Sequence, residues 1–186
     1  MKLQLGRKEL SWSNVRLGKM IQCWVCLYKT KLIDALRCPR LDVSLPYWLI
    51  TRLVNWKDYT HCSIILPTQT GDVEAQKFSG DLGIWLVPNV NPLPDTVYEI
   101  EADSYVFDRL CHMLDNGVPP TTWKQIVRTW YGVPADNCVS FVGSILGHDR
   151  EVCSTPKQLE HLLVSHHRGI VLTANTHTGT KDNHHG

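Results

Sequence analysis

The sequence predicts an α+β domain: an antiparallel sheet of about four to six strands with one buried helix packed against it. Three observations predict this. Short apolar or alternating runs, punctuated by Gly-Asp and Pro turns, recur between Thr60 and Glu101, the pattern of neighbouring antiparallel strands. Capped helical periodicities follow them, from Asp103 to Leu163,. Finally, the run from Cys138 to Leu146 is apolar on nearly every side, which assigns that helix to the interior.

A chain of 186 residues is long enough to bury a core as one domain without staples. We expect that domain over residues 1–172, with 1–40 as an N-terminal extension of unassigned structure and 174–186 as a disordered tail rich in Thr, Asn, His and Gly,. The hydrophobic share of 43% and charged share of 20% are those of a soluble globular protein,. A formal net charge of +1 gives no broad electrostatic argument for nucleic acid or a membrane surface, and no basic aromatic stripe is present. Seven cysteines at irregular spacings argue against a disulfide framework and for a reducing, cytoplasmic compartment. There is no apolar run of signal-peptide length, and none near the roughly 18–20 residues of a membrane span.

Along the chain, Ile21 to Leu27 is a short apolar run, either a strand or a buried helical turn,. It contains Cys23-x-x-Cys26, a redox or half-zinc motif on one reading and two buried small side chains on the other. Ser44 and Pro46 open a helix carrying Trp48, Leu49, Arg52, Leu53 and Trp56 on one face,. His61 to Leu66 reads as a strand ended by Pro67. Gly71-Asp72 turns it into a hairpin with about Val73–Gln76,. Leu82 to Val87 and Thr96 to Glu101 read as further strands, with a Pro-rich loop between them.

Asp103-Ser104 then caps a helix with Val106, Leu110, Met113 and Leu114 on one face, stopped by Gly117,. Thr121 or Thr122 caps another, through Trp123, Ile126, Val127 and Trp130. A turn at Tyr131 to Ala135 delivers Cys138 to the start of the apolar helix, which Gly147 stops. Ser154 or Thr155 caps a helix with Pro156 at its start and Leu159, Leu162 and Leu163 inside,. Ile170 to Leu172 reads as a last strand.

The candidate chemistry lies in two of these elements. A helix N-terminus carries partial positive charge and unpaired N–H groups, so a thiol placed there ionises more easily. That makes Cys138 the candidate nucleophile; its rival reading is a cysteine that merely packs. His61, near the start of its strand, is the candidate general base. Strand alternation puts His61, Ser63 and Ile65 on one face and Cys62, Ile64 and Leu66 on the other, so Cys62 is discounted as a nucleophile. A third group must orient the imidazole. Glu74, on the paired strand, is the first choice, with Asp72 and Gln76 as rivals. His166-His167 and His184-His185 offer at most adventitious metal binding, and no cofactor or resident metal is expected. No Gly-x-Ser-x-Gly elbow and no phosphate-binding Gly loop is present,.

Taken together, Tyr59-Thr60-His61-Cys62-Ser63-Ile64, Val73-Glu74-Ala75, Asn137-Cys138-Val139-Ser140-Phe141-Val142 and Ser154-Thr155-Pro156-x-x-Leu159 resemble the circularly permuted branch of the NlpC-type papain-like superfamily. In that branch the histidine strand precedes the cysteine helix. The resemblance spans about residues 45–165. It implies a papain-like (permuted) fold, with Cys138 as nucleophile, His61 as base and Glu74 in the place of the third, polar member. Relatives include peptidases and amidases, lipid-amide hydrolases and acyltransferases, so the expected partner is a peptide, amide or lipid-ester substrate. The spread of the family implies a bacterial or viral source. Cys62 departs from the pattern, where an apolar residue is commoner.

The expected activity is therefore a thiol hydrolase cleaving an amide or ester through an acyl-enzyme. The alternatives are a lipid or acyl transferase of the same fold, and a non-catalytic binding or structural module. The Trp123, Trp130 and Tyr131 group, with Pro134, is expected to shape the groove.

Overall fold

The computed structural model describes residues 18–29, 59–68, 71–78, 81–86, 94–118, 136–149 and 152–173, with the single positions 49, 124 and 128. One antiparallel sheet organises them. In chain order its strands are β1 (Met20–Lys29), β2 (Tyr59–Leu66), β3 (Val73–Phe78), β4 (Asp81–Leu86), β5 (Thr96–Asp103) and β6 (Ile170–Thr173). The helices α1 (Val106–Asn116), α2 (Cys138–Ile145) and α3 (Pro156–Ser165) fall between β5 and β6. The spatial order is β4-β3-β2-β1-β5-β6, and each described ladder is antiparallel. The α+β class is the one the sequence predicted. The expected helices over 44–56 and 121–130, the start of the N-terminal extension, the 131–135 turn and the tail lie outside the described residues, apart from Leu49, Lys124 and Arg128.

The ambiguous run at Ile21 to Leu27 is a strand, and it is central. β1 pairs with β2 on one side and β5 on the other, with Cys26 opposite both Ser63 and Val97. Its Cys23, Val25 and Leu27 join the main core, while Cys26 and Tyr28 are buried on the second face. Burial on both faces explains why its apolar run lacks a period-2 pattern. It also separates Cys23 from Cys26, since residues three apart on a strand point to opposite faces. Both thiols are free and buried, as the packing reading of that motif had it. Among the described residues no group of three or more His, Cys, Asp or Glu is arranged to hold a metal.

The core lies between the sheet and the helices. Leu27, Ile64, Leu66, Ile100, Leu110, Ile145, Leu159 and Leu163 are fully buried there; each such side chain contributes about 1.5–3 kcal/mol of transfer free energy. α2 packs across β2 and β3 and touches α1 and α3. Seven of its residues are buried, Cys138 to Gly143 and Ile145, in keeping with its apolar sequence. Gly143 lets the chain approach closely: a Cβ there would stand 2.7 Å from Cys153 Cβ and 2.8 Å from its Sγ.

Helix ends follow local chemistry with one exception. Thr155 caps α3 through a reciprocal box with Gln158, and Pro156 occupies the first turn,. The exception is α1. Its N-cap position is Tyr105, with no side-chain cap bond. Asp103, expected as the cap, ends β5 instead. Its carboxylate accepts from the Tyr105 N–H at 2.9 Å and pairs with Arg109 at 3.2 and 3.1 Å. Arg109 also donates to the Ile145 carbonyl at 2.9 Å, so one guanidinium ties the start of α1 to the C-terminal end of α2.

Candidate active site

Cys138 is the first residue of α2, and its position is fixed by the residue before it. Asn137 is extended (φ −137°, ψ −174°) and caps the helix. Its Oδ1 accepts from the Ser140 N–H at 2.9 Å, and its own N–H donates to Ser140 Oγ at 3.0 Å. The second end of the Asn137 amide donates to the Ser154 carbonyl at 2.9 Å, which ties the helix mouth to the segment leading into α3. The first-turn N–H groups of Cys138 and Val139 have no acceptor within the helix.

β2 is irregular beside His61. Tyr28 pairs with His61 and Lys29 with Tyr59, so Thr60 is an extra residue in the ladder. Such a bulge increases local twist and re-aims the neighbouring side chain. The charge and hydrogen-bonding capacity of the His61 imidazole favour the Cys138 thiolate. Its Nε2 lies 3.1 Å from Gln76 Oε1. An amide oxygen only accepts, so Nε2 carries the hydrogen and Nδ1 is left as the basic nitrogen. The Tyr28 ring lies against the imidazole, with centroids 5.8 Å apart at 40°.

Glu74, the first choice for the third group, has other partners. Glu74 is buried close by, but its Oε1 accepts hydrogen bonds from the Tyr28 and Ser63 hydroxyls. Its Oε2 is buried with no hydrogen-bond partner. The sheet register gives the reason. Glu74 stands opposite Ile65, and continuing that antiparallel ladder puts Gln76 opposite Ser63, one face-step nearer His61. Asp72 lies further away still, in the turn before β3. Gln76, weighed only as a rival, is the residue that holds the imidazole.

Cys62 stands on the face opposite His61, as strand alternation predicts. The sequence reading set it aside because alternation sends it to the face opposite His61. That face is the core face on which α2 packs, so Cys62 lies beside Cys138. Its thiol and its backbone both favour the Cys138 anion. His61 favours the same anion.

The thiols differ in electrostatics. Cys138 is drawn well below the ordinary thiol range by the Cys62 thiol hydrogen bond, by the charge and hydrogen bond of His61, and by the Cys62 backbone, against an opposing effect of burial. Cys62 moves the other way, because burial disfavours its anion and the negative Cys138 sulfur adds to that. Burial pushes Cys23, Cys26 and Cys153 up to about 12. Burial also raises the Tyr28 hydroxyl well up, keeping it a donor to Glu74.

Beside the helix start is a cavity of about 280 Å³, between the end of α1, α2 and β3. Lys77, His112, Met113, Asp136, Ser140 and Phe141 are among its lining residues. The expected groove residues Trp123, Trp130, Tyr131 and Pro134 lie outside the described residues. Among the described residues, no helix is long and apolar enough to cross a membrane.

No family model matches this chain, and no curated protein matches it.

Proposed function

We propose that this chain is a cysteine acyl hydrolase of the peptidase or amidase type, with a permuted papain-like arrangement of parts. The observation that carries the reading is a single relay: Cys138 at a capped helix N-terminus, its anion favoured by His61, whose imidazole is hydrogen-bonded to Gln76. A neutral amide as the orienting member has precedent in Cys-His-Asn constellations. Gln76 acts as a positioning residue, fixing the tautomer that leaves Nδ1 toward the thiol.

In the proposed reaction His61 Nδ1 holds the thiol proton and Cys138 attacks an amide or ester carbonyl. The tetrahedral oxyanion is met by N–H groups of the first turn, that of Cys138 included. His61 gives the proton to the leaving amine or alcohol, and an acyl-enzyme forms. Water, deprotonated by His61, releases the acid and restores the thiol. The cavity lined by Asp136 and Ser140 lies along the same helix and offers space for part of a substrate.

The test is iodoacetamide labelling of the native protein against pH, with each cysteine followed by mass spectrometry. The reading requires Cys138 to label fast well below the ordinary thiol pKa of about 8.5, and to lose this in His61→Ala. A Cys138 no more reactive than Cys23 or Cys26 would replace the enzyme with a binding module of the same shape.

A further inference from the structure

Cys62 has no role in that reaction, yet it shares the buried layer between β2 and α2 with the reacting sulfur. It is buried, at 1% exposure, on the core face of β2, and Cys138 reaches the same layer from the start of α2. α2 packs directly on β2, and the Cys62 thiol and backbone both favour the Cys138 anion. A purely structural position here needs only an apolar side chain, like Ile64 and Leu66 on the same face. Cys138 keeps 6% exposure at the helix start.

We propose that Cys62 is a resolving cysteine: when a peroxide oxidises Cys138, Cys62 closes a reversible Cys62–Cys138 disulfide that switches the site off. This rests on the reading of Cys138 as the reactive thiolate. In the first step the Cys138 thiolate attacks one peroxide oxygen. The O–O bond breaks, hydroxide (or alkoxide) leaves, and Cys138 becomes a sulfenic acid. In the second step Cys62 sulfur attacks Cys138 sulfur, an S–S bond forms and the S–O bond breaks. The Cys62 proton and the departing hydroxide leave as water. Two thiols are oxidised and one peroxide is reduced by two electrons.

The surroundings favour the second step. While Cys138 is anionic, its charge helps to keep Cys62 protonated; once Cys138 is a neutral sulfenic acid that restraint is gone. A thiol of high pKa is also the stronger intrinsic nucleophile. Cys153 is the competing thiol, since it too is buried near Cys138. Its Sγ, however, is turned to the Val139 carbonyl at 3.7 Å. Capture by Cys62 protects Cys138 from the irreversible sulfinic and sulfonic stages.

The experiment treats the full chain with hydrogen peroxide, then maps peptides under non-reducing conditions and measures Cys138 labelling by iodoacetamide. The expected result is a cross-linked Cys62–Cys138 peptide, a fall of about tenfold or more in Cys138 labelling, and full recovery after dithiothreitol. In Cys62→Ala the same treatment is expected to give Cys138 sulfinic acid that dithiothreitol does not restore. The wild-type map decides the question even where that variant fails to fold. A Cys138 that labels fast but oxidises to sulfinic acid in the wild type, or that cross-links to Cys153, overturns the switch and leaves the hydrolase reading standing. A Cys138 inert to both iodoacetamide and peroxide overturns both.

Discussion

His61 Nε2 stands 3.1 Å from Gln76 Oε1, while the carboxylate of Glu74, two residues earlier on β3, takes the hydroxyls of Tyr28 and Ser63. The side chain that orients the imidazole is thus an amide and not an acid. Losing one orienting hydrogen bond of this kind costs about 1.4–2.7 kcal/mol in the transition state. Gln76→Ala is therefore expected to lower kcat/KM by about tenfold to a hundredfold. Glu74→Gln, which keeps an acceptor for both hydroxyls, is expected to stay within about threefold of wild type. The check is steady-state kinetics of both variants on one amide or ester substrate; a larger loss in Glu74→Gln would reinstate the acid.

The helix that presents Cys138 depends on Asn137, which caps it and also reaches Ser154. Asn137→Ala removes the cap and strands a buried carbonyl. The expected loss is about 2–3 kcal/mol of stability. For a chain of this length that corresponds to a fall in Tm of roughly 4–10 °C. Calorimetry measures it, and an unchanged Tm would mean that the box contributes nothing.

Gly143 faces Cys153 with no space for a methyl group. Gly143→Ala is expected to destabilise by about 1–3 kcal/mol through overpacking. In a Cys153→Gly background, which lacks both the Cβ and the Sγ that the new methyl would meet, Gly143→Ala should cost much less if the clash is its cause. Urea titration of the single and double variants separates this from a general cost of touching α2.

A histidine pair joins the loop after α2 to the loop after α3. His148 Nε2 lies 2.8 Å from His167 Nε2, and His167 Nδ1 donates to the Glu101 carbonyl at 3.0 Å. Burial, then the neighbouring His167, His166 and Arg109, hold His148 below its usual value of 6.5, with Asp149 opposing. A histidine depressed in the folded state binds its proton more readily once unfolded. Its contribution is complete above the unfolded pKa and is lost as pH falls through 6.5 toward the folded value,. Tm is therefore expected to fall more steeply between about pH 7 and about pH 5 in wild type than in His148→Gln. Parallel curves would remove His148 from the account.

Local chemistry was enough to read much of this protein. The Thr155 helix start and the Gly71-Asp72 hairpin follow from residues within a few positions of one another, and the α+β class follows from the sum of such local signals. Turns and caps are satisfied by their own neighbours, so the sequence alone determined them. The centrality of β1 did not follow, because its partners, β2 and β5, come from far along the chain and its two buried faces erase the period that marks a strand. Nor did the choice of Gln76 over Glu74, or the place of Cys62 beside Cys138. Those depend on the sheet register and on the extra residue Thr60 in β2. A slip of one residue exchanges the faces of a strand, so only the assembled sheet, with α2 laid across it, could decide which side chains meet the sulfur.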